Sequence, residues 1–232
     1  MKTLLLKLSG PMQSWGTSSH FNTRHTDLYP SKSAIIGMLS ASLGYRRDEN
    51  EKINDLNKKI QLGIRVDQRG ILSKDYHIAR KFDSKGNFDT TYVTNRYYLQ
   101  DAVFVVAINS EDEIIDMLEN SVKNPYFQIY LGRRSFPVSA DIILGVNDKS
   151  IIDNFNSLPW QAQEWYKKRN ENNEKLDIYG DIGCFNSEIN KFRKDNVISF
   201  SQKNREFVYR CEVESSVRND DVTNHDVFKV IE

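Results

Sequence analysis

At 232 residues, with 39% apolar and 11% aromatic side chains, the chain has material for one generous domain or two small ones. Its 32 Lys and Arg balance 32 Asp and Glu, which excludes a protein that coats nucleic acid indiscriminately, because such binding rests on phosphate neutralisation. No apolar run reaches the roughly 18 residues of a membrane span, and the N-terminal TLLLKL is broken by Lys7 without a small-residue cleavage site, so neither a membrane anchor nor a signal peptide is expected.

The zero balance hides an asymmetry. Residues 1–110 hold 16 Lys and Arg against 10 Asp and Glu, whereas residues 111–232 hold 16 against 22. A local basic face and an acidic surface turned to a protein partner fit that split, as do two solvated faces of opposite average sign. Cys184 and Cys211 form no metal-ligand spacing, which points to reduced thiols and a cytoplasmic setting.

In chain order, Thr3–Leu8 reads as a short buried strand. A polar loop with Trp15, His20, Phe21, Arg24 and His25 follows, then a helix capped by Ser31 or Ser33 that turns Ile35, Ile36, Met38, Leu39 and Leu43 inward and stops at Gly44. Its small residues Gly37, Ser40, Ala41 and Ser42 permit close packing on a sheet. Asp48–Lys59 is helical, and Gln61–Asp67 alternates as a half-buried strand. Between Ser73 and Tyr98 no helical stripe exists, and the polar, Tyr-rich segment predicts a projecting hairpin. Asp101–Asn109 is a buried strand, Glu111–Val122 an amphipathic helix capped by Ser110, and Leu131–Ser135 a basic turn. Strands are expected at Ile142–Val146 and Glu206–Glu214, while residues 148–195 look irregular apart from a short helix near Trp160–Arg169. The order matches a ferredoxin-like βαββαβ unit, the α+β framework of RNA-recognition domains.

No P-loop, GxGxxG, HExxH or GxSxG motif is present. The histidines are His20, His25, His77 and His225, none at metal-ligand spacing, and no cofactor is called for. His20 with His25, or Tyr76-His77 with Lys74 and Lys81, are pairs that can serve metal-free RNA cleavage. Binding is the stronger theme. Unpaired N–H groups at the helix start, with Lys32 beside them, suit a phosphate. Arg24 can pair a phosphate bidentately, and Arg133 with Arg134 can form a second clamp. Trp15, Phe21 and Tyr29 can stack bases, although Trp15 serves equally well as an anchor of the loop on the core.

Gly10-Pro-Met-Gln-Ser-Trp-Gly16, Thr23-Arg24, Pro30-Ser-Lys-Ser33 leading to Gly37 and Leu43-Gly44, Asp75-Tyr-His77, Arg96-Tyr-Tyr-Leu-Gln-Asp101 and Tyr130-Leu-Gly-Arg-Arg-Ser135 stand in one order along residues 1–145. Together they resemble the CasD-type branch of the fifth Cas family, RAMP proteins of the type I-E CRISPR Cascade complex. Tyr179-Gly-Asp181 and Arg205-Glu-Phe207 extend the match loosely. The resemblance implies a ferredoxin-like (RRM-like) RAMP domain over residues 1–145, with a thumb at about 73–98. Residues 146–232 would form a less regular C-terminal extension that completes the same globule.

It further implies a non-catalytic subunit that holds the 5′ handle of a crRNA. Its neighbours would be the Cascade backbone subunit and the large PAM-reading subunit, with target DNA reached only through the guide. The expected RNA-binding set is Gln13, Trp15, Arg24, His25, Ser31, Lys32, Ser33, His77, Arg96, Arg133 and Arg134. Type I-C relatives cut repeat RNA with Tyr, Lys and His, so a metal-independent repeat endoribonuclease is the alternative.

Overall fold

The computed structural model describes residues 1–18, 22–187 and 189–219; His20, Phe21 and His225 lie outside them. The elements are β1 (Lys2–Ser9), β2 (Met12–Gln13), β3 (Thr23–Arg24), α1 (Lys32–Ser42), α2 (Asn50–Lys59), β4 (Gln61–Gln68), β5 (Ile71–Phe82), β6 (Phe88–Gln100), β7 (Val103–Ser110) and α3 (Asp112–Lys123). The second part adds β8 (Ile143–Asn147), α4 (Ile151–Ser157), α5 (Glu164–Arg169), β9 (Lys175–Asp181), β10 (Ile189–Ser199) and β11 (Glu206–Arg218).

Seven strands form one antiparallel sheet in the order β10-β11-β9-β4-β7-β1-β8. The run β8-β1-β7-β4, with α1 and α3 as crossovers, is the ferredoxin-like unit. On β7, Phe104, Val106 and Ile108 enter the core under α1, α2 and α3, whereas Val105 and Ala107 enter a second core under α4. Burial on both faces explains why this strand is apolar without alternation.

That second core closes one face of the sheet. In an RNA-recognition domain the open sheet face carries the RNA, but here Ile151, Phe155 and Trp160 cover it. Arg65 and Asp67, both on β4 and buried, lock the cover down. The Arg65 guanidinium donates to the Phe155, Leu158 and Pro159 carbonyls, and the Trp160 indole donates to the Asp67 carbonyl at 2.6 Å. The sheet face is therefore closed to any ligand.

The C-terminal part is also more regular than its sequence suggests. Residues 148–195 form α4, α5, β9 and most of β10, and β9 pairs with β4, so both parts share one sheet. The sequence of β10, INKFRKDNVIS, carries charges where a strand pattern wants apolar residues, and those charges turn out to be paired internally. Ser110 is not the cap of α3: Glu111 occupies that position, and the Ser110 hydroxyl donates to the Lys59 carbonyl.

The expected arm is a hairpin of β5 and β6, paired from Ile71–Gln100 out to Phe82–Phe88. It is longer at its base than the 73–98 segment, and Tyr98 within it is buried. Two glycines with positive φ separate geometry from crowding. At Gly86, in the arm's turn, a Cβ would meet nothing within 4 Å, whereas at Gly132 it would lie 1.7 Å from the Ser14 carbonyl oxygen. We expect Gly86→Ala to cost about 1 kcal/mol from φ alone, and Gly132→Ala about 3 kcal/mol or more, as read from urea denaturation midpoints.

Candidate nucleic-acid interface

The base of the arm is a small second sheet built around β6. One edge of β6 pairs with β5; the other pairs with β2 (Gln13 opposite Leu99) and, in parallel, with β3 (Arg24 opposite Arg96). The loop between β1 and α1 is pinned there by two buried side chains. Gln13 donates to the Ala102 carbonyl at 2.7 Å and accepts from the Trp15 indole at 3.0 Å, and Trp15 is 2% exposed. Of the two roles open to Trp15, the anchor is the one realised. Gln13 uses its polar groups inside the fold and leaves the RNA-binding set, whereas Trp15 is an anchor whose edge lines a groove beside α1.

The pinned loop sets Arg24 directly beside Arg96, an arrangement of like charges that destabilises a sheet. Arg24 is exposed; Arg96 is half-buried, with its Nε buried and without an acceptor. Arg133 completes the group. It lies 4.3 Å from the Tyr98 ring centroid and donates to the Tyr98 hydroxyl at 2.6 Å. Burial pushes its pKa down; the Tyr98 hydroxyl opposes this, and repulsion from Arg96 and then Arg24 adds to the lowering. Three guanidinium groups crowd together with Asp75, opposite Arg96 on β5, as the nearby acid. Such a cluster favours an anion.

Around it, the His25 ring stacks on Tyr97 at 5.2 Å and 12°, and His77 pairs with the Asp75 carboxylate. Tyr76 and His77 are adjacent on a strand and so project from opposite faces, which separates the pair a nuclease reading needs. Arg134 is exposed on the turn held against the loop by the hydrogen bond from the Ser14 N–H to the Leu131 carbonyl.

The helix start was expected to take a phosphate, and here the structure corrects the sequence. Ser31 does cap α1, accepting from the Ala34 N–H. The Lys32 N–H, however, donates to the carboxylate of Asp195 at 2.8 Å, and the Lys32 ammonium pairs with Asp181 at 2.7 Å. The protein supplies its own anions, so Ser31 and Lys32 are buried structural residues. Ser33 is half-buried and lines a groove beside them.

That groove escaped the sequence reading. It has a volume of about 710 Å³ and runs along α1, between the 127–132 segment and Phe200. Arg46, Arg47 and Arg205 line it. Gly37, expected to face the sheet, instead looks at the Phe200 ring. The Arg46-Arg47 pair, which follows Gly44 and Tyr45, was the one available signal. Among the described residues no group of three or more His, Cys, Asp or Glu is arranged to hold a metal ion, and no helix is long and apolar enough to cross a membrane.

A ferredoxin-like core with a long β-arm and a cationic arm base is the build of a RAMP protein. The chain belongs to the family described as "CRISPR-associated protein (Cas_Cas5)", whose model matches residues 3–211. It is 36% identical over 157 residues to the CRISPR system Cascade subunit CasD of Escherichia coli (strain K12), a match covering 61% of this chain and 70% of that relative. A solved structure described as "CRISPR RNA-guided surveillance complex" superposes with a TM-score of 0.76 at 28% identity, covering 93% of this chain and 90% of that one. Another, described as "Crystal structure of Cas protein", gives 0.69 at 30% identity, covering 94% and 96%.

The buried position of Lys32 yields a direct test. Lys32→Ala leaves the half-buried Asp181 carboxylate short of one partner, so it should lower stability by about 2 kcal/mol. The salt slope of RNA binding should stay at the wild-type value, as measured by anisotropy titrations at several salt concentrations.

Proposed function

We propose that this chain is the crRNA-binding subunit of a type I-E CRISPR surveillance complex, holding the 5′ handle and taking no part in catalysis. The observation that carries the reading is the Arg24–Arg96–Arg133 cluster at the arm base, three cations brought together where they repel one another and a phosphate relieves them. A relative named as a Cascade subunit and a structural neighbour from an RNA-guided complex support it. His25 stacked on Tyr97 and the His77–Asp75 pair flank the cluster and suit bases or further phosphates. Gln13 and Lys32 are left out because their polar groups are engaged by internal partners; Trp15, Ser31 and Ser33, which line the groove, stay as peripheral contacts with the exposed Arg134.

Partners follow from what remains exposed. The arm presents Tyr76, Ile78, Phe82 and Phe88 to solvent, each more than half exposed, an apolar surface of the kind that marks a protein contact. The adjacent Cascade backbone subunit is its proposed occupant. The large PAM-reading subunit would sit beside the handle, and target DNA would be met only through the guide. The repeat endoribonuclease reading is not favoured, since Tyr76 and His77 point apart.

In fluorescence anisotropy with repeat RNA, Arg24→Ala, Arg96→Ala and Arg133→Ala should each weaken binding. Each should also reduce the salt slope by about 0.7, the value for one single-strand phosphate contact. The RNA should remain intact on denaturing gels in chelator. Unchanged affinity in all three variants overturns the assignment; cleavage at one position restores the nuclease.

A further inference from the structure

We propose that a second pocket, at the end of β4, is a docking site for an acidic peptide segment of a partner protein. The pocket has a volume of about 460 Å³ and is bounded by the end of β4, the start of β9, α5 and the turn 170–173. It shares no lining residue with the groove along α1, and none of the Arg24–Arg96–Arg133 cluster borders it.

Helix α5 (Glu164–Arg169) buries none of its residues. It therefore adds little to the core and sets its side chains outward, with Tyr166 and Arg169 in the pocket lining. Trp165, whose ring meets that of Tyr166 at 5.7 Å, stays 46% exposed. Ile71 and Leu72, which follow the lining residue Arg69 closely in the chain, are 62% and 53% exposed. Large apolar side chains left open beside a pocket mark a protein contact.

Three cations line the pocket: Arg69, Arg169 and Lys175. The carboxylate of Asp67 is taken by Arg65 and the Gln161 N–H, and Asp177 pairs with Arg69. Among the described residues, neither Arg169 nor Lys175 has a carboxylate within 4.0 Å, although Glu171 borders the same pocket. Two exposed cations without a counter-ion suit the carboxylates of a ligand.

The neighbouring amides favour a peptide over a phosphate chain. The side chains of Asn172 and Asn173 make no hydrogen bond among the described residues. Each offers a donor and an acceptor, the pair that a peptide bond matches. Phosphate oxygens only accept, and Glu171 and Asp177 in the lining repel a chain that carries a charge on every unit. A peptide with spaced carboxylates lays its backbone on the amides and its charges on Arg169 and Lys175.

The test uses the full chain and two labelled octapeptides, one of alternating Asp and Val and one with Asn in place of Asp, read by fluorescence anisotropy at low salt. Wild type should bind the Asp peptide on the order of tenfold more tightly, the gain expected from two charge-assisted contacts at an open site. Arg169→Gln combined with Lys175→Gln should bring the two peptides level and leave the affinity for repeat RNA as in wild type. Both side chains are exposed and make no hydrogen bond or ion pair among the described residues, so the double variant folds as wild type does. Lys175→Glu alone should turn the preference towards the Asn peptide.

Equal affinity of wild type for the two peptides overturns the site. So does tripolyphosphate that displaces the Asp peptide and binds as tightly as it does, which marks a plain anion site. A preference that emerges only after Asp220→Asn and Asp221→Asn, the residues directly after Asn219, overturns the partner and makes the chain's own carboxylates the occupant.

Discussion

The carboxylate of Asp195 is fully buried, and the placement of α1 depends on it. It accepts from the first N–H of α1 and from two nitrogens of Arg210, and Arg193 lies 3.6 Å away. Glu212 and Asp181 bind the same Arg210, Lys32 bonds to Asp181, and Arg193 reaches Asp27 and the carbonyls of Tyr29 and Pro30. Burial opposes the charged forms of Arg193 and Arg210, yet the surrounding carboxylates hold both pKa values above the ordinary arginine value. Removing one member strands the others in a medium that solvates charge poorly. The helix dipole joins the set, because the N-terminus of α1 is the positive end of a macrodipole that Asp195 meets.

This network is also what loads the arm base. The segment from Gly10 to Pro30 is fastened at one end by Gln13 and Trp15, and at the other by Arg193 on Asp27 and the backbone of Tyr29 and Pro30. Between those anchors the chain has little choice but to lay β3 against β6, which sets Arg24 beside Arg96. Left to itself, a pair of like charges on neighbouring strands would separate. The two anchors and the backbone pairing of β3 with β6, which includes the bond from the Asn95 N–H to the Asn22 carbonyl at 2.9 Å, hold it together.

How much of this the sequence carried depends on how far each residue's partner lay. The elements of the ferredoxin-like unit were readable, because apolar spacing in β1, α1, β4 and β7 reports local burial. Ser31 as cap and Gly44 as stop, the latter with φ of +81°, were readable for the same reason. Trp15 was ambiguous: an aromatic in a polar loop looks exposed until Gln13 is seen to satisfy its indole. Lys32 was misread through sound physics. A helix start with a lysine does attract an anion, but the anion here comes from Asp195, 163 residues on. Strand β10 was missed because its charges, which argue for a solvated segment, are spent on partners in β11 and in the loop before α1. Arg205 joins Arg24 and Arg47 only through the fold.

The net charge of zero therefore says little about what the protein binds, since its cations fall into two populations. Lys32, Arg65, Arg193 and Arg210 are buried or nearly so, and each has a carboxylate within bonding distance. Their charge is cancelled inside the fold and is invisible to a ligand. Arg133 and Arg205 form the second: Arg133 stacks on Tyr98 and Arg205 on Phe207, and burial, aided by neighbouring arginines, pushes both pKa values down where carboxylates push Arg193 and Arg210 up. The sign of the neighbours therefore separates Arg193 and Arg210 from Arg133 and Arg205. The helix start that looked most like a phosphate site is already filled by the carboxylates of Asp195 and Asp181.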